Sequence, residues 1–132
     1  MPDPGWWEAL WPDPAGVLAK VGLKPGMDVI DLCSGDGWFT LQIAKVARHV
    51  IAIDIEGKLL HNARNMFIEG NAYAIATLVD RQVDFVFLAS AFHGVPDKPR
   101  LARAVSSVLK LASLFVIVNG MNAAERGYRR AW

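Results

Sequence analysis

Val29-Ile30-Asp31-Leu32-Cys33-Ser34-Gly35-Asp36-Gly37 leads into a helical pattern over residues 38–47, and Val50-Ile51-Ala52-Ile53-Asp54 follows. The order reads as strand, glycine loop, helix, and a second strand with an acid at its tip. Two glycines separated by one residue, just past a buried strand, let the backbone turn tightly and approach a ligand where a Cβ would collide. From Trp38 onward Phe39, Leu41, Ile43, Ala44, Val46 and Ala47 recur at roughly helical spacing, so one helix face can cover a sheet. The loop therefore opens directly onto a helix N-terminus.

Asp54 stands nineteen positions after Gly35. That is close to the interval of about 20 residues at which a carboxylate accepts the ribose hydroxyls of a nucleoside. Charge narrows the choice of nucleoside. A phosphate cradle needs cations or several free N–H groups, whereas this loop holds no Lys or Arg and carries Asp36. No G-x-x-x-x-G-K-[ST] phosphate loop is present. Where a dinucleotide fingerprint places its third glycine, three positions after Gly37, this chain has Thr40. An uncharged or cationic nucleoside fits better.

With these residues the chain resembles the class I S-adenosylmethionine-dependent methyltransferases. Their first motif, an acid followed by spaced glycines, is matched by Asp31-Leu32-Cys33-Ser34-Gly35-Asp36-Gly37, with Cys33 where the first glycine usually stands. Asp54 matches their second motif. The similarity continues through Val83-Asp84-Phe85-Val86-Phe87-Leu88-Ala89 and on to Val118, covering residues 23–119. The resemblance implies an α/β fold: a Rossmann-like doubly wound parallel sheet, strand order 3-2-1-4-5, with helices on both faces. It also implies S-adenosylmethionine as cofactor. Gly35 and Gly37 would give backbone approach, Asp31 would orient the loop and the methionine ammonium, and Asp54 would hold the ribose. Cys33, Ser34, Ile55, Ala72 and Ser90 complete the cofactor-binding set.

The family has an acid after its third strand, in a Gly-Asp-Ala sort of context, that binds the adenine amino group; this chain offers Gly70-Asn71-Ala72. The Asn71 oxygen can still accept from an amine, without the charge, and an ordinary turn Asn is the competing reading. Ser90-Ala91-Phe92-His93-Gly94 follows the fourth strand and places His93 near the reactive end of the cofactor, where it is the candidate to remove a proton from the acceptor. Hydrogen bonding to loop backbone is an equal alternative. His49 and His61 lack ligand-type neighbours at metal spacing, so no metal site is expected.

One hundred and thirty-two residues, 53% apolar, allow one domain with a real core, taken as residues 1–132. No window approaches 18 uncharged apolar residues, and the Pro- and Asp-containing N-terminus does not resemble a signal peptide. A cytoplasmic location is expected, in agreement with the single Cys33. A net charge of +1 gives no global field for nucleic acid. Arg126, Arg129 and Arg130 read as a solvated helix face.

Residues 1–22 form a Trp-rich flap and a helix. Pro2, Pro4, Pro12 and Pro14 interrupt regular structure among Trp6, Trp7 and Trp11. The resemblance implies a segment over the cofactor or acceptor pocket that Trp7 or Trp11 lines; the competing reading is that the three aromatics plug one end of the core. Asp13-Pro14 starts a helix that Gly22 stops. Beyond Asp54, residues 56–64 read as a helix, 66–69 as a short strand, 72–79 as a helix and 83–89 as a strand apolar almost throughout. Asp97 with Pro99 opens a helix whose buried face is Leu101, Ala104, Val105, Val108 and Leu109; residues 114–118 are the fifth strand.

The sequence departs from the family pattern in three places. About ten residues are missing before the third strand, Leu111-Ala112-Ser113 replaces a Pro-Gly-Gly turn, and only a short C-terminal helix, residues 120–132, can follow Asn119. The fifth strand is left as an edge, which points to a possible homodimer. The expected function is methyl transfer to a small-molecule acceptor. The alternative is a catalytically inactive S-adenosylmethionine- or nucleoside-binding or assembly module, and a third class, an NAD-dependent oxidoreductase, is disfavoured by Thr40 and the acidic loop.

Overall fold

A computed structural model describes residues 4–55 and 67–119. Five strands form one parallel sheet in the order β3-β2-β1-β4-β5: β1 Asp28–Leu32, β2 His49–Asp54, β3 Phe67–Glu69, β4 Val83–Ala89 and β5 Leu109–Val118. Around it lie α1 Pro4–Leu10, α2 Pro14–Lys20, α3 Trp38–Ala44, α4 Ile75–Leu78 and α5 Lys98–Val108. The order reverses between β1 and β4, so their carboxyl ends flank the switch-point crevice where open α/β sheets bind ligands.

Alternation along the central strands gives each face its own core. Ile30, Leu32, Ile53, Val86 and Leu88 pack with Ile75 of α4 and with Leu101, Val105 and Val108 of α5. On the other face Val29, Val50, Phe85 and Phe87 pack with Leu18 of α2, Phe39 and Ile43 of α3, and Trp7 of α1. Both faces of β1 and β4 are covered, which is why these strands read as largely apolar, interrupted only by Asp28 and Asp31 in β1 and by Asp84 in β4.

Helix starts follow local chemistry. Asp13 caps α2 by accepting from the Gly16 N–H at 3.0 Å, with Pro14 in the first turn, and Gly22 at φ 103° follows the helix end. Asp97 caps α5 by accepting from the Arg100 N–H at 3.1 Å. Residues 4–10 are helical despite the surrounding prolines, because Pro4 falls at the first position, where its missing N–H costs nothing. The helix expected over residues 38–47 ends at Ala44 and closes with turn bonds from Val46 and Ala47 to the Ile43 carbonyl.

Two expected elements take a different form. Residues 72–79 split into a 3-10 turn, Ala72–Ala74, and the short α4, which stops at Leu78 because Val79 is extended. The fifth strand begins at Leu109, not Leu114, so Leu109 leaves the helix face on which it was expected. Val83 pairs with Leu109 and Phe85 with Leu114, so residues 110–113 bulge out of the ladder, with Ala112 at φ 63°. The strand absorbs the irregularity that a glycine turn would otherwise supply. The helices expected over residues 56–64 and 120–132, Met66, His61 and the three C-terminal arginines lie outside the described residues.

Candidate functional site

The loop after β1 is fixed by its own backbone donors. The Ser34 N–H donates to the Ile53 carbonyl at 3.1 Å, tying loop to β2, and the Gly37 N–H donates to the Ser34 carbonyl at 3.1 Å. The Gly35 N–H donates to Asp54 Oδ2 at 2.8 Å, and the Trp38 N–H to Asp36 Oδ1 at 3.1 Å. Cys33, Gly35 and Gly37 take positive φ of 59°, 62° and 87° in alternation. Four N–H groups from Ser34 to Trp38 are thus engaged within the protein. The arrangement offers no cradle for a phosphate, which agrees with the absence of Lys and Arg from the loop.

Two buried carboxylates stand behind it. Asp31, near the end of β1, accepts from Thr40 Oγ1 at 2.6 Å; burial pushes its pKa up to about 7, Thr40 opposes the shift, and the charge of Asp54 adds to it. Thr40 is therefore the partner of Asp31, a role the sequence reading missed. Its signal was a hydroxyl in the first turn of the helix, on the face turned to the sheet. Asp54 ends β2 with its side chain committed in part to Gly35. Cys33 is buried, and desolvation followed by the charges of Asp54 and Asp31 pushes its thiol well up, so it stays protonated. Ser34 Oγ is buried with no hydrogen-bond partner among the described residues.

The far side of the crevice begins at Ser90, directly after β4. Ser90 is buried at φ 58°, its N–H donates to the Val118 carbonyl at 2.7 Å, and its Oγ accepts from Trp11 Nε1 at 2.9 Å. Trp38 Nε1 in turn donates to the Trp11 carbonyl at 2.8 Å. Trp7 lies buried on Phe39, edge to face with ring centroids 6.3 Å apart, and against Gly35.

The topology brings Asp31, Cys33, Ser34, Gly35, Gly37, Asp54 and Ser90 to the carboxyl ends of β1, β2 and β4, with Ile55 exposed just past β2. Asn71 and the buried Ala72 follow β3. Asn71 Oδ1 accepts from the Tyr73 N–H at 2.8 Å and caps the 3-10 turn, so the turn role weighed for this residue is realised. His93 is exposed on the turn Phe92–Gly94, beyond β4. Among the described residues no group of three or more His, Cys, Asp or Glu could hold a metal ion. A cavity of about 360 Å³ lies elsewhere, at the start of β2 beside β3. Of the basic residues that border it, Arg48 and His49 are engaged by Asp28 and Arg81 by Asp80.

A family profile described as a methyltransferase domain matches residues 30–117, from β1 to the end of β5. The chain belongs to this family. As a class I S-adenosylmethionine-dependent methyltransferase domain it is similar to a SAM-dependent methyltransferase from Aquifex aeolicus: 27% identity, TM-score 0.70, covering 87% of this chain and 66% of that one. Another from Mesorhizobium loti gives 26% identity and TM-score 0.65 over 81% of this chain and 51% of that one. An uncharacterized methyltransferase of Schizosaccharomyces pombe, C70.08c, is 26% identical over 112 residues, which are 76% of this chain and 42% of that protein. The chain thus spans between about two-fifths and two-thirds of the length of these relatives.

Proposed function

We propose that this methyltransferase domain binds S-adenosylmethionine across the carboxyl ends of its strands and serves methyl transfer to a small-molecule acceptor. The observation that carries the reading is the hydrogen bond from the Gly35 N–H to Asp54, which joins the two cofactor motifs of the family into one surface. The donor set fits the group. Two buried carboxylates and no cation suit an ammonium, a sulfonium and ribose hydroxyls, while the internally engaged loop N–H groups suit no pyrophosphate.

In this reading Gly35 and Gly37 admit the ligand, and Asp31 faces the methionine ammonium with the neighbouring Cys33 and Ser34. Asp54 and Ile55 hold the nucleoside, Asn71 and Ala72 border the adenine, and Ser90 closes the far edge. The cofactor supplies an electrophilic sulfonium methyl; the chain supplies proximity, alignment and exclusion of water. His93 is the candidate to accept the proton of the acceptor. The reading includes one domain, a cytoplasmic location and a homodimer paired along β5. No helix among the described residues is long and apolar enough to cross a membrane. A monomer at high concentration in the ultracentrifuge would remove the dimer.

The test is calorimetric titration with S-adenosylhomocysteine, with NADH as control. Binding of the first alone is expected. Binding of NADH, or of neither ligand by folded protein, would overturn the proposal. S-adenosylhomocysteine binding without methyl transfer to any acceptor would leave the module reading in its place.

A further inference from the structure

Asp31 is a buried carboxyl that no cation faces among the described residues. It is 2% exposed and lies in the sheet between Ala52 of β2 and Phe87 of β4. Alternation along β1 puts it on the face that carries Val29, which α3 covers. Its one hydrogen-bond partner there is Thr40, itself 0% exposed, whose Oγ1 donates to Asp31 Oδ2 at 2.6 Å. No residue of α3 is charged, Glu8 of α1 and Lys20 of α2 are exposed, and the charge that acts on Asp31 is the like charge of Asp54 at the tip of β2.

This carboxyl belongs to the strand that flanks the switch-point crevice, one residue before the end of β1, where the glycine loop departs. In that loop Ser34 Oγ is buried with no hydrogen-bond partner among the described residues, which marks a place made for a polar ligand. Burial chiefly, with Thr40 opposing and Asp54 adding, pushes the pKa of Asp31 up to about 7, so without a cation beside it the group keeps its proton up to neutral pH. A cation brought into the crevice reverses that balance, because a medium of low dielectric carries its attraction across several ångströms. Thr40 suits both states. A hydroxyl can accept from the protonated carboxyl and donate to the ionised one, and the second bond is charge-assisted and stronger.

We propose that Asp31 and Thr40 form a proton-linked receptor for the cationic amino-acid end of the ligand: seating of the ammonium expels the proton of Asp31, and Thr40 is the positioning residue whose hydroxyl holds the resulting carboxylate. The O–H bond of Asp31 breaks, its proton passes to solvent water, and the ammonium becomes the neutralising charge in its stead. The receptor rests on the cofactor reading above. Beyond that reading, it makes affinity depend on pH through one carboxyl and one hydroxyl.

Calorimetric titration with S-adenosylhomocysteine between about pH 5.5 and 8.5, in buffers of different ionisation enthalpy, counts the protons released on binding. The wild type should release close to one proton per ligand at about pH 6 and almost none at about pH 8, with affinity rising up to about tenfold per pH unit until it levels off near neutrality. Asp31→Asn should bind more weakly, with the release and the pH dependence both lost. Thr40→Val keeps the shape and removes the hydroxyl, so the levelling-off point should move up by about one to two pH units, the worth of one hydrogen bond to a charged group. Thr40→Ser should restore it. A packing role for Thr40 would instead change affinity evenly across pH. Binding by the wild type without proton release, release that persists in Asp31→Asn, or an unmoved profile in folded Thr40→Val would overturn the receptor alone. No binding by the wild type at any pH overturns the cofactor reading and the receptor with it.

Discussion

The Gly35 N–H and the Asp54 carboxylate meet at 2.8 Å, so the acid that ends the second strand is a structural partner of the glycine loop after the first. Spacing along the sequence alone suggested two independent contacts with one ligand. The fold makes them one unit, since any group that Asp54 binds is placed by the same carboxylate that sets the loop. Asp54→Ala is therefore predicted to weaken S-adenosylhomocysteine binding by about 1.5–3 kcal/mol, the loss of a charge-assisted bond, and to loosen the loop as well. Asp54→Asn keeps an acceptor for Gly35 and should retain stability while losing part of the affinity. Calorimetry with both variants checks this; unchanged affinity in Asp54→Ala would refute the assignment.

Asp31 and Asp28 give folding stability two opposed pH dependences. The raised pKa of Asp31, about 7 against an ordinary 3.8, means the folded protein holds a proton that the unfolded chain releases. This group's stabilising preference for the protonated form is complete below the unfolded value and disappears as pH rises towards 7, where the ionised group is a burden. Asp28 behaves in the opposite sense: the Arg48 hydrogen bond chiefly, with help from His49 and against burial, lowers it to about 2. Its contribution is present above the unfolded value and is lost as pH falls towards 2. Denaturant titrations from pH 2 to 8 should show greatest stability near pH 4 from these two groups, where the carboxyls of the unfolded chain titrate. Asp31→Asn, which can still accept from Thr40, should remove the decline towards pH 7 and raise Tm at neutral pH while weakening ligand binding. A neutral-pH Tm at or below wild type would contradict the pKa assigned to Asp31.

Cys33 holds a left-handed backbone at φ 59° while its side chain packs in the core beside Leu32 and Ile53. Glycine there would relieve strain of about 1–2 kcal/mol and forfeit a buried side chain worth about the same. Cys33→Gly is predicted to change stability by less than about 1 kcal/mol. Cys33→Val, of similar size but branched at Cβ, should destabilise by about 2 kcal/mol or more. Urea titration of both variants decides whether backbone conformation governs the site; equal effects would show that it does not.

The parts of the molecule legible in the sequence are those where local pattern and burial agree. The run Val83–Ala89 could only be a strand covered on both sides, and Asp13-Pro14 and Asp97 mark helix starts because their side chains satisfy N–H groups within the next turn. What stayed hidden depended on residues far apart in the chain. Thr40 looked like a missing glycine until α3 brought it against Asp31, and Trp11 gave no sign of its partner Ser90, 79 positions away. The fifth strand was misjudged because residues 110–113 lack strand alternation, although they are a bulge within it.

That bulge supplies a further prediction. Ala112 sits at φ 63° and is exposed, where its side chain makes no core contact to lose. A left-handed non-glycine residue costs about 1–2 kcal/mol, and glycine returns roughly 0.5–1 kcal/mol of that through its greater freedom in the unfolded chain. Ala112→Gly should thus stabilise the domain by about 0.5–1 kcal/mol, and Ala112→Val should destabilise it by at least as much. Neither should alter S-adenosylhomocysteine affinity, because the bulge follows α5 at the end of the sheet opposite the crevice. Thermal melts and calorimetry of the two variants provide the check: a destabilised glycine variant would show that residues 110–113 do not hold the left-handed turn in solution.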